Sequence, residues 1–227
     1  MTAFVSAPAA APVVATPGDQ FVEWASIGWK GYLAMLRLRG ERGVPRMIYL
    51  DGNVLLMSPA YPHERLKERL GQFIIEVVAG LDIPCLPAGQ TTFRRRSKRG
   101  GVEGDHTYYL ANEARMRGKI AIDLDVDPPL DLAVEAVHSH DARRSVEVYR
   151  RLGVPEVWVC DEAELTIRIL GANGRYARSK TSAAFPLLTA EEIARWIHRP
   201  ASGSETDWVK EVRRWVAETL RPRRETT

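Results

Sequence analysis

Leu130-Asp131-Leu132-Ala133-Val134-Glu135-Ala136-Val137 is apolar on both faces except at Asp131 and Glu135. A run of that kind is the signature of a central strand covered on both sides. Pro128 and Pro129 precede it and set its start. Downstream, residues 141–152 have helical spacing, with Ser145, Val148, Tyr149 and Leu152 on one stripe, and Gly153 supplies a stop. Pro155 then opens a second apolar run, Val157-Trp158-Val159-Cys160. Strand, helix, strand in this order is a crossover unit, which joins parallel strands.

Hairpins flank that unit. Met47 to Leu50 and Asn53 to Met57 are apolar runs around Asp51-Gly52, a strong short-range hairpin signal. A helix is predicted over 62–78, with Leu66, Leu70, Phe73, Ile74, Val77 and Val78 on one face and His63, Glu64 and Lys67 in its first turns. Gln90 to Phe93 reads as a short strand, 94–101 as a basic loop, and Asp105 to Leu110 as an alternating strand. Leu165 to Leu170 pairs back on the crossover, and residues 171–174 turn again. Trp24 to Leu38 is expected to be an entry helix, and 189–198 and 205–220 to be peripheral helices. The expected fold class is α/β, a mixed central sheet flanked by helices. The expected organisation is an Ala/Pro-rich disordered arm over 1–20, one domain over 21–200, and a C-terminal helix with a basic tail over 201–227.

Composition limits the function classes. The chain has 227 residues, 45% apolar and 27% charged, which is ordinary for a globular protein with a real core. No stretch is long and apolar enough for a membrane span. Cys85 and Cys160 form neither a zinc-type pair nor a disulfide framework, so a cytoplasmic location is expected. The net charge of +3 is too small to imply nucleic acid by itself. The excess is clustered, however. Arg94, Arg95, Arg96, Lys98 and Arg99 form one dense patch, and such patches attract phosphate unless they are merely solvated loop.

The most informative residue is Glu135, a carboxylate inside an apolar strand. A charge buried without a partner is costly. A basic side chain, such as an arginine of the following helix, a shared proton or a metal ion must hold it. Asp105 opens another strand just after the glycine-rich Gly100-Gly101-Val102-Glu103-Gly104. Two carboxylates on neighbouring strands are a common way to hold a hard cation such as magnesium. Such an ion activates water and stabilises charge on a phosphate oxygen.

Taken together these pieces resemble the Uma2 (DUF820) family, described as endonucleases with the PD-(D/E)XK fold. The resemblance rests on Tyr49-Leu-Asp-Gly-Asn-Val-Leu-Leu-Met-Ser-Pro59, His63-Glu64, Thr91-Thr-Phe-Arg-Arg95, Gly101-Val-Glu-Gly-Asp-His-Thr-Tyr-Tyr-Leu110, Pro128 to Glu135, and Tyr149-Arg-Arg-Leu-Gly-Val-Pro-Glu-Val-Trp158. It implies a restriction-endonuclease-like core with Asp105 and Glu135 as ligands of Mg2+ or Mn2+. It also implies Glu64 as a further acidic group and His63 as a histidine common at that point, so the candidate catalytic residues are Asp105, Glu135, Glu64 and His63. The basic patch from Arg94 to Arg99 would hold nucleic-acid backbone, most simply DNA, and cutting both strands of a duplex would favour a homodimer.

The chain departs from the family pattern twice. Gly104 replaces the proline before the aspartate, and Val137 replaces the lysine two residues after the glutamate. Where relatives carry that lysine on the next helix, this chain has Ser145. Lys67, Arg143, Arg144, His138 and His140 are the nearby groups that could compensate, although Lys67 is expected to send its head to water. Two functions are therefore in play. One is a metal-dependent endonuclease. The other is a catalytically degenerate member that binds nucleic acid or protein without cutting.

Overall fold

A computed structural model of the chain describes residues 18–139 and 142–225. The expected arm therefore lies almost wholly outside the described residues, as does His140. Strands are β1 (Gln20–Trp24), β2 (Arg46–Leu50), β3 (Asn53–Ser58), β4 (Leu86–Pro87), β5 (Thr92–Arg95), β6 (Gly100–Glu103), β7 (His106–Tyr109), β8 (Leu132–Ala136), β9 (Glu156–Cys160), β10 (Leu165–Leu170) and β11 (Tyr176–Ser179). Helices are α1 (Gly28–Arg39), α2 (Tyr61–Gly80), α3 (Glu113–Met116), α4 (Arg143–Leu152), α5 (Ala190–His198), α6 (Glu205–Trp215) and α7 (Arg221–Glu225). A π-helical turn, Val216–Leu220, extends α6.

The fold is mixed α/β with flanking helices, but the strands form two sheets where one was expected. The first has the order β1-β3-β2-β6-β5, and the second β11-β10-β9-β8-β7-β4. Every pairing is antiparallel except β8 with β9, which the α4 crossover joins in parallel. The chain visits the second sheet for β4, returns to the first for β5 and β6, and crosses again at Gly104 into β7.

The β2–β3 hairpin turns through Asp51 and Gly52, at φ 51° and 97°. Both sit in the left-handed region that a two-residue hairpin requires. Helix α4 buries Ser145, Val148, Tyr149 and Leu152, the predicted stripe. Helix α2 buries Leu70, Phe73, Ile74, Val77 and Val78 against β8 and β9.

Four expectations need correction. Trp24 ends a strand rather than starting a helix, because β1 finds its partners on β3 and needs no apolar face of its own. Residues 94–101 are not a loop. Arg94 and Arg95 end β5, a 3-10 turn spans Arg96–Lys98, and Gly100 and Gly101 pair back in β6. The C-terminal helices are not peripheral, since Trp208, Val212, Val216 and Leu220 are buried in the same core as α2. Lys67 does not reach water but is buried at 8% exposure, held 2.6 Å from Glu64 Oε2. No helix of the described residues is long and apolar enough to cross a membrane.

Candidate active site

Strand register brings the two predicted carboxylates together. His106 pairs with Val134 across β7 and β8, so Asp105 and Glu135 stand opposite each other at the strand ends. The Ala136 amide donates to Asp105 Oδ2 at 2.7 Å. Both residues line one cavity of about 240 Å³, lying between the two sheets and capped by α4.

Asp105 is almost fully buried and its oxygens are engaged. His63 Nε2 lies 3.0 Å from Oδ1, and the Arg46 guanidinium forms an ion pair with the same oxygen. His63 Nδ1 faces Asp19 Oδ2 at 3.4 Å, so each ring nitrogen meets a carboxylate. Asp19 also accepts from the Ala60 amide at 2.8 Å, which tethers the entry segment to the start of α2.

Glu135 accepts from the Tyr149 hydroxyl at 2.6 Å. Burial pushes its carboxyl above the ordinary range, while the Tyr149 and Ser145 hydroxyls and the Arg46 charge oppose that push. The same burial, with the Glu135 carboxylate alongside, raises Tyr149 well above its usual value, so its phenol stays a donor.

Glu64 does not line the cavity and reaches the site through Arg46, which donates to Oε1 at 2.7 Å. Partial burial pushes its carboxyl up, but the Lys67 hydrogen bond and the Lys67 and Arg46 charges outweigh this and hold it low. Ser145 lines the cavity, with its hydroxyl donating to the Ala142 carbonyl at 3.0 Å. Arg144 also lines it and pairs with Glu23 at 2.7 Å. His138 is turned aside to Glu162, 2.9 Å away, and does not line the cavity.

The basic patch stands apart. None of Arg94, Arg95, Arg96, Lys98 and Arg99 lines the cavity. Arg95 and Arg99 bind Asp125 and Asp51, at 2.8 and 3.2 Å. Arg94, Arg96 and Lys98 are exposed. Glu103 reaches the cavity from the other end of β6, about 10 Å along the strand from Gly100.

Two buried charged residues of the cavity escaped the sequence reading. Arg46 is 3% exposed although charged, and its place at the head of an apolar strand was the available signal. Glu103 is equally buried, with Oε1 2.6 Å from Arg39 Nη2 and Oε2 accepting from the Met47 amide at 2.9 Å. It stands two residues before Asp105, a spacing that could have drawn attention.

The donor chemistry suits a hard divalent cation. Asp105 and Glu135 offer carboxylate oxygens, the donors such an ion takes, but Arg46 is paired with Asp105 Oδ1 and would have to yield that oxygen to it. Among the described residues no group of three or more His, Cys, Asp or Glu forms a ready cage. An ion here would complete its shell with water or phosphate oxygens, as magnesium commonly does.

A search of curated proteins finds no match. A crystal structure titled as "a putative nuclease belonging to DUF820" from Anabaena variabilis has a TM-score of 0.49 and 12% identity, over 67% of this chain and 92% of that one. The Uma2 family model, described as "Putative restriction endonuclease", matches residues 29–201. That match takes in every strand except β1 and every cavity residue except Phe21 and Glu23, and the chain belongs to the Uma2 family.

Proposed function

We propose that the protein is a magnesium- or manganese-dependent endonuclease acting on DNA in the cytoplasm, with homodimers cutting both strands. The observation that carries this reading is the meeting of Asp105 and Glu135 across β7 and β8 in one cavity. Bound by these carboxylates, the ion supplies positive charge that polarises the scissile phosphate and activates the attacking water. His63 orients Asp105, and the Tyr149 hydroxyl orients Glu135. Arg144, at the cavity wall, can bind a phosphate oxygen while staying protonated. Arg94, Arg96 and Lys98 hold the duplex backbone away from the reacting phosphate. Cys85 and Cys160 are both free thiols, in keeping with a reducing compartment.

The test is cleavage of supercoiled and linear DNA with magnesium, manganese or a chelator. Asp105→Asn and Glu135→Gln should each lower the rate by at least about a hundredfold, or about 2.7 kcal/mol of barrier. Cutting that survives chelation, or that is as fast in both variants as in the wild type, overturns the reading.

Two observations favour a second reading, a binding module that does not cut. Ser145 occupies the slot of the missing lysine, and the only buried lysine of the first core helix, Lys67, is committed to Glu64. On this reading DNA binding is salt-sensitive, Asp105→Asn does not change it, and no divalent ion elicits cutting. Ser145→Lys separates the two. It restores a cation facing the cavity, so an enzyme gains rate over a wild type that already cuts, whereas a module inactive for want of the lysine cuts only as the variant.

A further inference from the structure

Helix α4 has a cavity on each side. Arg144 and Ser145 face the acidic one, whereas Arg143, Val146, Glu147 and Arg150 face a second, of about 420 Å³, walled by β10 and β11. Four arginines line the second cavity: Arg143, Arg150, Arg168 and Arg178.

The acidic groups around it are already engaged. Glu147 holds Arg150 at 2.7 and 2.8 Å. Glu164 holds Arg178 at 2.7 Å, and Arg178 also donates to Thr166 Oγ1 at 2.8 Å. The Asp161 carboxylate accepts from the Ala163 and Glu164 amides at 2.7 and 2.9 Å. Arg168 is different, because its Nε is shut off from solvent and has no hydrogen-bond partner among the described residues.

Register sharpens the anomaly. Arg168 pairs directly with Arg178 across β10 and β11, so the two side chains share a face and both reach the cavity. Like charges placed directly opposite on neighbouring strands repel. A buried guanidinium nitrogen without an acceptor costs further free energy. An anion seated between the two arginines would remove both penalties. Guanidinium forks match the oxygen geometry of phosphate, and Thr166 adds a hydroxyl beside them.

We propose that the cavity between α4 and β10–β11 is a binding site for a phosphate group, held by Arg168 and Arg178. The phosphate comes either from a nucleic-acid backbone or from a small phosphate compound. This inference goes beyond the nuclease reading and does not require Asp105 or Glu135 to bind a cation.

Thermal unfolding of the full chain in sodium phosphate, against sodium chloride at matched ionic strength, provides the first arm. Phosphate should raise the Tm of the wild type and leave Arg168→Gln and Arg178→Gln unmoved. Arg178 is largely exposed, so its variant keeps the test open if Arg168→Gln does not fold. Anisotropy of a fluorescent DNA duplex is the second arm. A loss of about tenfold or more in affinity in the variants, with a shallower salt dependence, assigns the phosphate to backbone. Unchanged DNA binding alongside lost phosphate protection assigns it to a small compound. Equal protection of wild type and variants by phosphate, or protection of none, overturns the site.

Discussion

Gly104 matters for the room it leaves. A Cβ there would lie 2.1 Å from the Tyr149 hydroxyl, 3.1 Å from Thr107 Cγ2 and 3.2 Å from Glu135 Oε1. In the sequence this glycine reads only as a replacement of the family's proline. In the fold it is what lets the Tyr149 phenol reach a buried carboxylate. Gly104→Ala should therefore destabilise by about 1–3 kcal/mol through overpacking. Tyr149→Phe should cost a similar ~1–3 kcal/mol by leaving Glu135 without its donor. Removing the phenol oxygen also removes the worst clash, so the double variant should be more stable than the sum of the single losses predicts. Urea denaturation of the four proteins measures this, and strict additivity would sink the explanation. Arg46 and Glu103 were less legible because their partners, Asp105 and Glu64 for one and Arg39, Met47 and Thr92 for the other, lie on other elements, and periodicity within one strand does not encode such contacts.

Helix α4 is the element that separates the two cavities, and ion pairs fix its outer face. Glu147 binds Arg150 and Arg151, and Arg151 reaches on to Asp51 in the β2–β3 turn at 2.7 and 2.8 Å. The Arg150 hydrogen bond leads in lowering the Glu147 carboxyl to about 2; partial burial opposes it and the Arg151 bond adds to it. A carboxyl held low in the folded state stabilises it above the unfolded value of 4.5. That stabilisation is lost as pH falls from there through about 2. Glu147→Gln should cost no more than about 1 kcal/mol at neutral pH, because the group is partly exposed. It should also make stability fall less steeply with acid below pH 4.5, as followed by denaturant midpoints; an unchanged acid limb counts against the assignment. Helices α2 and α4 were plain in the sequence because a buried stripe recurs every 3.6 residues. Strand β6 was not, because glycine is depleted in strands. Only the fold shows that a Cβ on Gly101 would come within 2.5 Å of the Tyr32 hydroxyl.

Across the whole molecule, the C-terminal segment closes the largest core. Trp208 is 1% exposed, its indole donates to the Trp196 carbonyl at 3.0 Å, and the Arg69 guanidinium lies 4.7 Å above its ring. Trp208→Ala should cost about 3–5 kcal/mol and unfold the protein as one unit in a denaturant titration. A loss under about 1 kcal/mol, or a separate early transition for α6 alone, would show that the helix is peripheral after all. By itself the sequence determined the crossover around Glu135, the Asp51-Gly52 hairpin, the two amphipathic helices and Glu135 as a buried charge in need of a partner. Each of these depends on local periodicity, turn chemistry or the cost of a charge in an apolar run. Only the tertiary structure decided that the strands divide into two sheets, that Arg46 lies against Asp105, and that Arg168 faces Arg178. Those contacts depend on which distant strands share an edge and in what register, and burial converts that placement into electrostatics no local pattern records.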